Sequence, residues 1–379
     1  MRGINLFLML FVNDLYEEGV PKWLVHTQAD VDGMGLADVV FPCFLFLVGL
    51  SIPFALSKRM PLESKFQTVK HILTRTISLL LIGLFMVNSE DYNEALTGVN
   101  KYLWVLAGYI SVFLIWNKYP NNKLIFSVLR TLGMTIFLTL FIIYRGGSAD
   151  NVAYIHISWW GILGLIGWGY LVSALCYLFL KDNLKTIFIL FLIFMGLNCL
   201  SQFDKLSFMN DAVPFLDVIL GGSVPSIVLA GLLMGLLVKK YANDSKILFK
   251  MAIPLGLVGI VLGFMLRKWF IVSKIKATPS WCLICIGISI MVFILIYFIT
   301  DVKKKSDWAK VFLPAGKSSL TTYLFPDIVY YTIWSTTLPI FFYKQTDSQA
   351  LAVVGSLVWS FLMIKLADLL VKNGIQLKL

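Results

Sequence analysis

Residues 23–53 read WLVHTQADVDGMGLADVVFPCFLFLVGLSIP, a loop rich in ionisable groups followed at once by an apolar run. The loop holds His26, one of three histidines in 379 residues, together with Asp30, Asp32, Gly33, Gly35 and Asp38. From residue 39 to residue 57 there is no charged side chain. About 20 largely apolar residues suffice for a helix to cross the hydrocarbon core, so the run reads as a membrane span with a polar loop at its mouth.

The same composition extends over the whole chain. Hydrophobic residues make up 59% and charged residues 14%, where soluble domains carry about 25% charged residues. Mean hydropathy is +0.83. The expected fold is all-α, a polytopic membrane bundle of about twelve helices forming one domain over residues 1–379, with no room for a sizeable soluble domain. Spans are expected near 3–16, 34–57, 73–88, 101–117, 124–144, 157–180, 186–201, 222–239, 247–266, 281–300, 312–337 and 350–371. No small-residue cleavage site follows the first apolar run, so that run is read as a helix and not as a signal peptide.

The formal charge of +11 then bears on topology, because lysine and arginine concentrate in cytoplasmic loops. No basic stretch has the length and aromatic interleaving of a nucleic-acid surface, so no nucleic-acid partner is expected. Alternate loops carry Lys58, Arg59, Lys65 and Lys70; Lys118 and Lys123; Lys181 and Lys185; Lys239, Lys240 and Lys246; and Lys303, Lys304 and Lys305. These loops are expected in the cytoplasm, with both termini inside, the His26 loop outside, and the chain in a bacterial inner membrane. Residues 267–280, RKWFIVSKIKATPS, break the rule by placing Arg267, Lys268, Lys274 and Lys276 on the outer side. Either these cations snorkel to the interface or some of them face an anionic ligand.

Polar groups at membrane depth are costly and mark functional paths. Asn13 and Asp14 close the first span, Asp38 opens the second, and His26 lies between them. A lone histidine is more often a satisfied structural residue. Here Asn13 and Asp38 set a second reading beside that one, a proton-transfer site in which an imidazole takes a proton near pH 7 and a carboxylate holds its tautomer. His156 competes from another outer connection, whereas His71 sits among cytoplasmic cations. No metal is expected: DVDGMG resembles the start of a calcium loop, but Phe41 stands where its glutamate is due. AGKSS (315–319) has the tail of a phosphate loop, yet Val311 occupies its first glycine position. Cys282 and Cys285 have CxxC spacing among apolar residues, where packing is the usual role.

RGINLFLMLFVN (2–13), HTQ (26–28) and ADVVFPCFLFLVGLSIP (37–53) together resemble the heparan-α-glucosaminide N-acetyltransferase family and its bacterial relatives. RTISLLLIGLF (75–85), GGSVPSIVLAGLLMGLLV (221–238), SKIKATPSW (273–281) and PAGKSSLTTYL (314–324) continue the likeness along the chain. The resemblance implies transfer of an acetyl group from cytosolic acetyl-CoA to an amino sugar or related glycan across the membrane. It puts the catalytic histidine on His26, its asparagine on Asn13 and its acidic partner on Asp38. It also implies cofactor contacts at Lys274, Ser280, Ser319 and Tyr323, and makes a homodimer the expected assembly. Departures are equally specific. Ser273, Ala277 and Ser318 replace family residues, the fourth core helix lacks an arginine, and residues 157–201 read as an inserted helix pair.

Arg2 and Asn13 are eleven residues apart, about 16 Å along a helix at 1.5 Å per residue. A nucleotide held near Arg2, with Arg75 as a second phosphate group partner, would send its pantetheine arm inward toward Asn13 and His26. His26 would act as a base on the acceptor amine or would itself be acetylated. The outer acids Glu17, Glu18, Asp30 and Asp32 would attract a cationic amino sugar or merely keep the loop hydrated. The alternative is an inner-membrane amino-sugar transporter, for which Lys317, Asp327, Lys365 and Asp368 supply charges within spans. Of these, Lys365 and Asp368 are spaced to pair with each other.

Overall fold

In a computed structural model, residues 1–120, 123–206, 213–241, 244–336 and 338–379 are described. Among the described residues the regular structure is helical apart from a two-stranded hairpin, Gly146–Ser148 with Asn151–Ala153. Among the described residues there are twelve long helices. They are α1 Arg2–Asp14, α2 Leu36–Arg59, α3 Lys65–Glu90, α4 Lys101–Trp116, α5 Leu124–Ile143 and α6 Gly161–Leu180. The series continues with α7 Leu184–Gln202, α8 Ser223–Lys240, α9 Ser245–Leu266, α10 Pro279–Tyr297, α11 Ser319–Thr336 and α12 Gln349–Lys372. Nine of them are long and apolar enough to cross a membrane; α1, α4 and α11 are shorter or more polar.

Local chemistry explains where these helices depart from the expected spans. α3 starts at Lys65, earlier than residue 73, because Ser64 and Gln67 form a reciprocal cap with bonds of 2.8 and 3.2 Å, which satisfies two otherwise orphaned N–H groups. α6 starts at Gly161, whose φ of +68° ends the irregular stretch before it. The span expected at 312–337 is broken at Ser318, which separates the short helix Leu313–Lys317 from α11; residue 337 lies outside the described residues.

The chain divides into two compact units. The first comprises residues 1–5, 20–77 and 165–310. Its centre is the crossing of α2 and α8, where glycines allow backbone to meet backbone: a Cβ at Gly49 would collide with the Val228 carbonyl, and one at Gly231 with the Phe46 carbonyl. Small residues at a crossing are the common device for helix association in lipid. α9 packs on α10 in the same way, through Gly256 and Gly263 against Gly287 and Ile284. The outer faces of α7 and α9 carry exposed Leu192, Ile193, Val261 and Phe264, as lipid contact requires.

The second unit comprises residues 6–19, 78–164 and 311–379. Its core is aromatic. Phe85 stacks on Trp104, which packs against Tyr92 and Tyr144. Phe7 of α1 packs against Phe312 and Phe361. The C-terminal segment returns to the end of α4, with Lys118 N–H donating to the Gln376 carbonyl at 2.8 Å and Lys378 N–H to the Trp116 carbonyl at 2.9 Å.

Candidate active site

In the first unit, the loop after α1 folds back on the start of α2. Leu36 and Ala37 donate their N–H groups to the Trp23 and Leu24 carbonyls, and Gly35 is required because a Cβ there would meet the Val25 carbonyl. This turn makes Asp38 the third residue of α2. Its Oδ2 accepts from the N–H groups of Gly35 at 2.9 Å and Thr27 at 3.0 Å, which leaves Oδ1 for His26 Nδ1 at 2.7 Å. Trp281 Nε1 donates to the Asp38 carbonyl at 3.0 Å, tying the helix start to α10. The Asp38 side chain is 1% exposed and that of His26 38%. A carboxylate at a helix N-terminus is favoured by the free N–H groups and the dipole. The dyad thus has a sealed anchor and a reachable imidazole. With Nδ1–H donating to Asp38, a neutral ring carries its free lone pair on Nε2.

Lys274 occupies the other side of that ring. Its Nζ is 3.2 Å from Nδ1 and 3.3 Å from Nε2, and because Nδ1 is engaged by Asp38, Nε2 is the acceptor an ammonium can use. Burial pushes the Lys274 ammonium below the usual lysine range, against the pull of Asp38.

The four cations of residues 267–280 therefore have identified neighbours. Arg267 pairs with Asp32 at 2.7 Å, Lys276 with Asp30 at 2.6 Å and Lys274 with His26, while Lys268 lies over Trp269. Asp32 also accepts from the Val272 N–H at 2.8 Å, and the Ser273 hydroxyl donates to the Ala29 carbonyl at 2.9 Å. The Val272 N–H, followed by Arg267, holds the Asp32 carboxyl below the usual range. The acids of one loop and the cations of the other clasp each other, which gives Arg267 and Lys276 local counter-charges.

The remaining candidate residues are distributed between the units. Arg2 and Arg75, both in the first unit, lie close enough to feel each other's charge; Arg75 stacks over Tyr170 at 4.7 Å, and its Nε has no hydrogen-bond partner. Two like charges held together suit an anion. Ser280 is buried, and its hydroxyl donates to the Ile271 carbonyl at 2.8 Å. In the second unit, Ser319 donates to the Gly316 carbonyl at 3.3 Å.

Asn13 lies beside the Tyr323 hydroxyl and with it lines a cavity of about 110 Å³, shared with Leu10, Met86, Pro326, Asp327, Tyr330 and Trp359. The neighbouring Asp14 is fully buried and saturated by the hydroxyls of Tyr330 and Tyr343 and by Lys344 at 2.9 Å. Composition alone did not single out this cavity or the Lys274–His26 contact. The signal available was the consecutive Asn13–Asp14 at a helix end and the tyrosine spacing of α11. His156 is exposed, with its ring on the Tyr154 carbonyl at 3.0 Å. Among the described residues no group of three metal-ligating side chains converges. Of the charges considered for a transporter, Lys317 and Lys365 are exposed, and Asp368 pairs with Lys372 at 2.8 Å instead of with Lys365.

Residues 1–184 match a family described as a domain of unknown function, DUF5009. The human heparan-alpha-glucosaminide N-acetyltransferase is 38% identical over 88 residues, covering 23% of this chain and 13% of that protein. The Mus musculus protein of the same name is 30% identical over 131 residues, 32% of this chain and 19% of that protein. The aligned segments thus span less than a fifth of the length of either relative, and they support the family relationship suspected from the sequence motifs.

Proposed function

We propose that this membrane protein is an acetyl-CoA-dependent acyltransferase that passes an acetyl group from the cytoplasmic side to an amino sugar or related glycan on the periplasmic side of a bacterial inner membrane. The observation that carries the reading is the His26–Asp38 dyad, whose geometry is that of an oriented base: one ring nitrogen bound to a buried carboxylate, the other carrying a lone pair that the Lys274 ammonium now holds.

In a direct transfer, His26 Nε2 takes the proton from the acceptor amine as its nitrogen attacks the thioester carbonyl. The tetrahedral intermediate then collapses, the C–S bond breaks, and His26 returns the proton to the departing thiolate. The amide of Asn13 is the donor we assign to the developing oxyanion. In a two-step transfer, Nε2 itself attacks the thioester, CoA leaves, and the amine removes the acetyl group from the ring. Lys274 must release Nε2 in either case. Arg2 and Arg75 are assigned to the phosphates of the nucleotide. Lys274, Ser280, Ser319 and Tyr323 are retained as donor-side contacts; for the two serines this role requires their hydroxyls to exchange the carbonyl partners they now hold. We assign the chain twelve spans in a single acyltransferase-like domain, with α6 and α7 as an inserted pair, and a homodimeric assembly.

Purified protein in detergent, given labelled acetyl-CoA and glucosamine, should release free CoA and form N-acetylglucosamine. His26→Ala should abolish both. An acetylated protein trapped with acetyl-CoA alone selects the two-step route. CoA release unchanged in His26→Ala would refute the assignment.

A further inference from the structure

In the second unit, Asp14 and Asp327 are held differently. Asp14 is enclosed by two tyrosine hydroxyls and the Lys344 ammonium. Asp327 has the Tyr109 hydroxyl directed at it, and among the described residues no lysine or arginine forms an ion pair with it. It faces instead into the cavity lined by Asn13, Tyr323, Tyr330 and Trp359. Carboxylates at membrane depth are expensive without a compensating cation, and the lining of this cavity contains none.

The walls match what the carboxylate lacks. Tyr323 and Trp359 are buried and line it, and aromatic rings attract cations that lie over their faces. The same surface already uses this attraction, since Lys344 Nζ lies 5.0 Å from the centre of the Tyr330 ring. The Asn13 carbonyl oxygen and the Tyr323 hydroxyl supply further acceptors for N–H donors. The volume, about 110 Å³, exceeds that of a single water site several-fold.

We propose that this cavity binds the primary ammonium group of a small polar molecule, with Asp327 as its counter-charge and Tyr323, Tyr330 and Trp359 as its walls. An acylated amine is neutral and bulkier at nitrogen, so the site discriminates an amine from its amide. The proposed function is used only to choose the probe.

Thermal stabilisation of the full-length protein in detergent at neutral pH tests the site, with glucosamine and N-acetylglucosamine as probes. Glucosamine should raise the midpoint in a saturable way and N-acetylglucosamine should not. Asp327→Asn should weaken the apparent affinity for glucosamine roughly thirtyfold or more, the loss typical of removing one partner from a buried charge pair. Should that variant fail to fold, Trp359→Leu should weaken it roughly threefold or more by removing one aromatic wall. Equal binding of the two sugars, or undiminished affinity in the folded variants, overturns the site. Amine binding through Asp327 without CoA release by the unmutated protein would leave this site standing and defeat the transferase. CoA release whose amine dependence ignores Asp327→Asn would do the reverse.

Discussion

Asp38 can orient His26 only because its second oxygen is held by two backbone N–H groups, from Gly35 and Thr27. Asp38→Asn keeps the shape but replaces one acceptor oxygen with a donor, so the ring nitrogen facing it must present a lone pair and the reactive nitrogen acquires the proton. General-base catalysis is worth about 10² to 10⁴ in rate, and CoA release should fall by that range while the protein stays folded. A fall below threefold would mean that the carboxylate only anchors the loop. The dyad was legible in the sequence because twelve residues and one tight turn separate its members. Lys274 was legible only as a family contact with cofactor; its place on the imidazole depends on a clasp between segments some 240 residues apart, which no local pattern encodes. Asp327 was visible as a charge within a span, but the cavity in front of it depends on side chains from four helices.

At the scale of elements, the clasp between the loop after α1 and the loop after α9 and the crossing of α2 with α8 hold the dyad in different ways. The clasp is electrostatic and depends on pH. The Asp32 carboxyl titrates lower in the folded state than in the unfolded chain. Its contribution is therefore fully present above the unfolded value, near 3.8, and is lost as pH falls through the lower folded value. Acidification from pH 5 to pH 3 should loosen residues 20–35, read as faster cleavage by an acid-stable protease, and Asp32→Asn should show the fast rate already at pH 5. The crossing is steric. Gly231→Leu drives a side chain into the Phe46 backbone, and because a carbonyl in a helix cannot step aside, the helices must separate. Overpacking costs about 1–3 kcal/mol where side chains yield, so the loss here should be at least that, seen as a lower melting midpoint and poor recovery of folded protein. A variant as stable as the parent would show that α2 and α8 are not in backbone contact. Glycines at the required spacing were readable in GGSVPSIVLAGLLMGLLV, but their partner helix was not, because every apolar helix in lipid offers a similar surface.

Which loops touch constrains the parity of the membrane crossings between them. Within the first unit, the loop after α1 clasps the loop after α9, so both lie on one side and an even number of spans must separate them. The helices between them that are long and apolar enough to cross are α2, α3, α5, α6, α7, α8 and α9, an odd number. We infer that the 16-residue α4 also crosses. Within the second unit, the C-terminal segment pairs with residues 116–118; the intervening apolar spans are again odd in number unless α11 crosses too. If α1 crosses as well, the total is twelve, an even number that puts both termini on one face, as the lysine pattern leads one to expect. Length alone hides α4, since 16 residues rise only about 24 Å, and its neighbours must thin the bilayer or tilt to accommodate it. Single cysteines at the exposed positions Ala95 and Lys118, before and after α4, test the inference. Of the native cysteines, Cys43, Cys282 and Cys285 are buried and Cys176 and Cys199 half-buried, so background labelling should be low. In right-side-out vesicles a membrane-impermeant maleimide should label Ala95→Cys at once and Lys118→Cys only after permeabilisation. Labelling of both from the same side would remove α4 from the membrane, and with it the parity that sets the His26 loop and the lysine-rich loops on opposite faces.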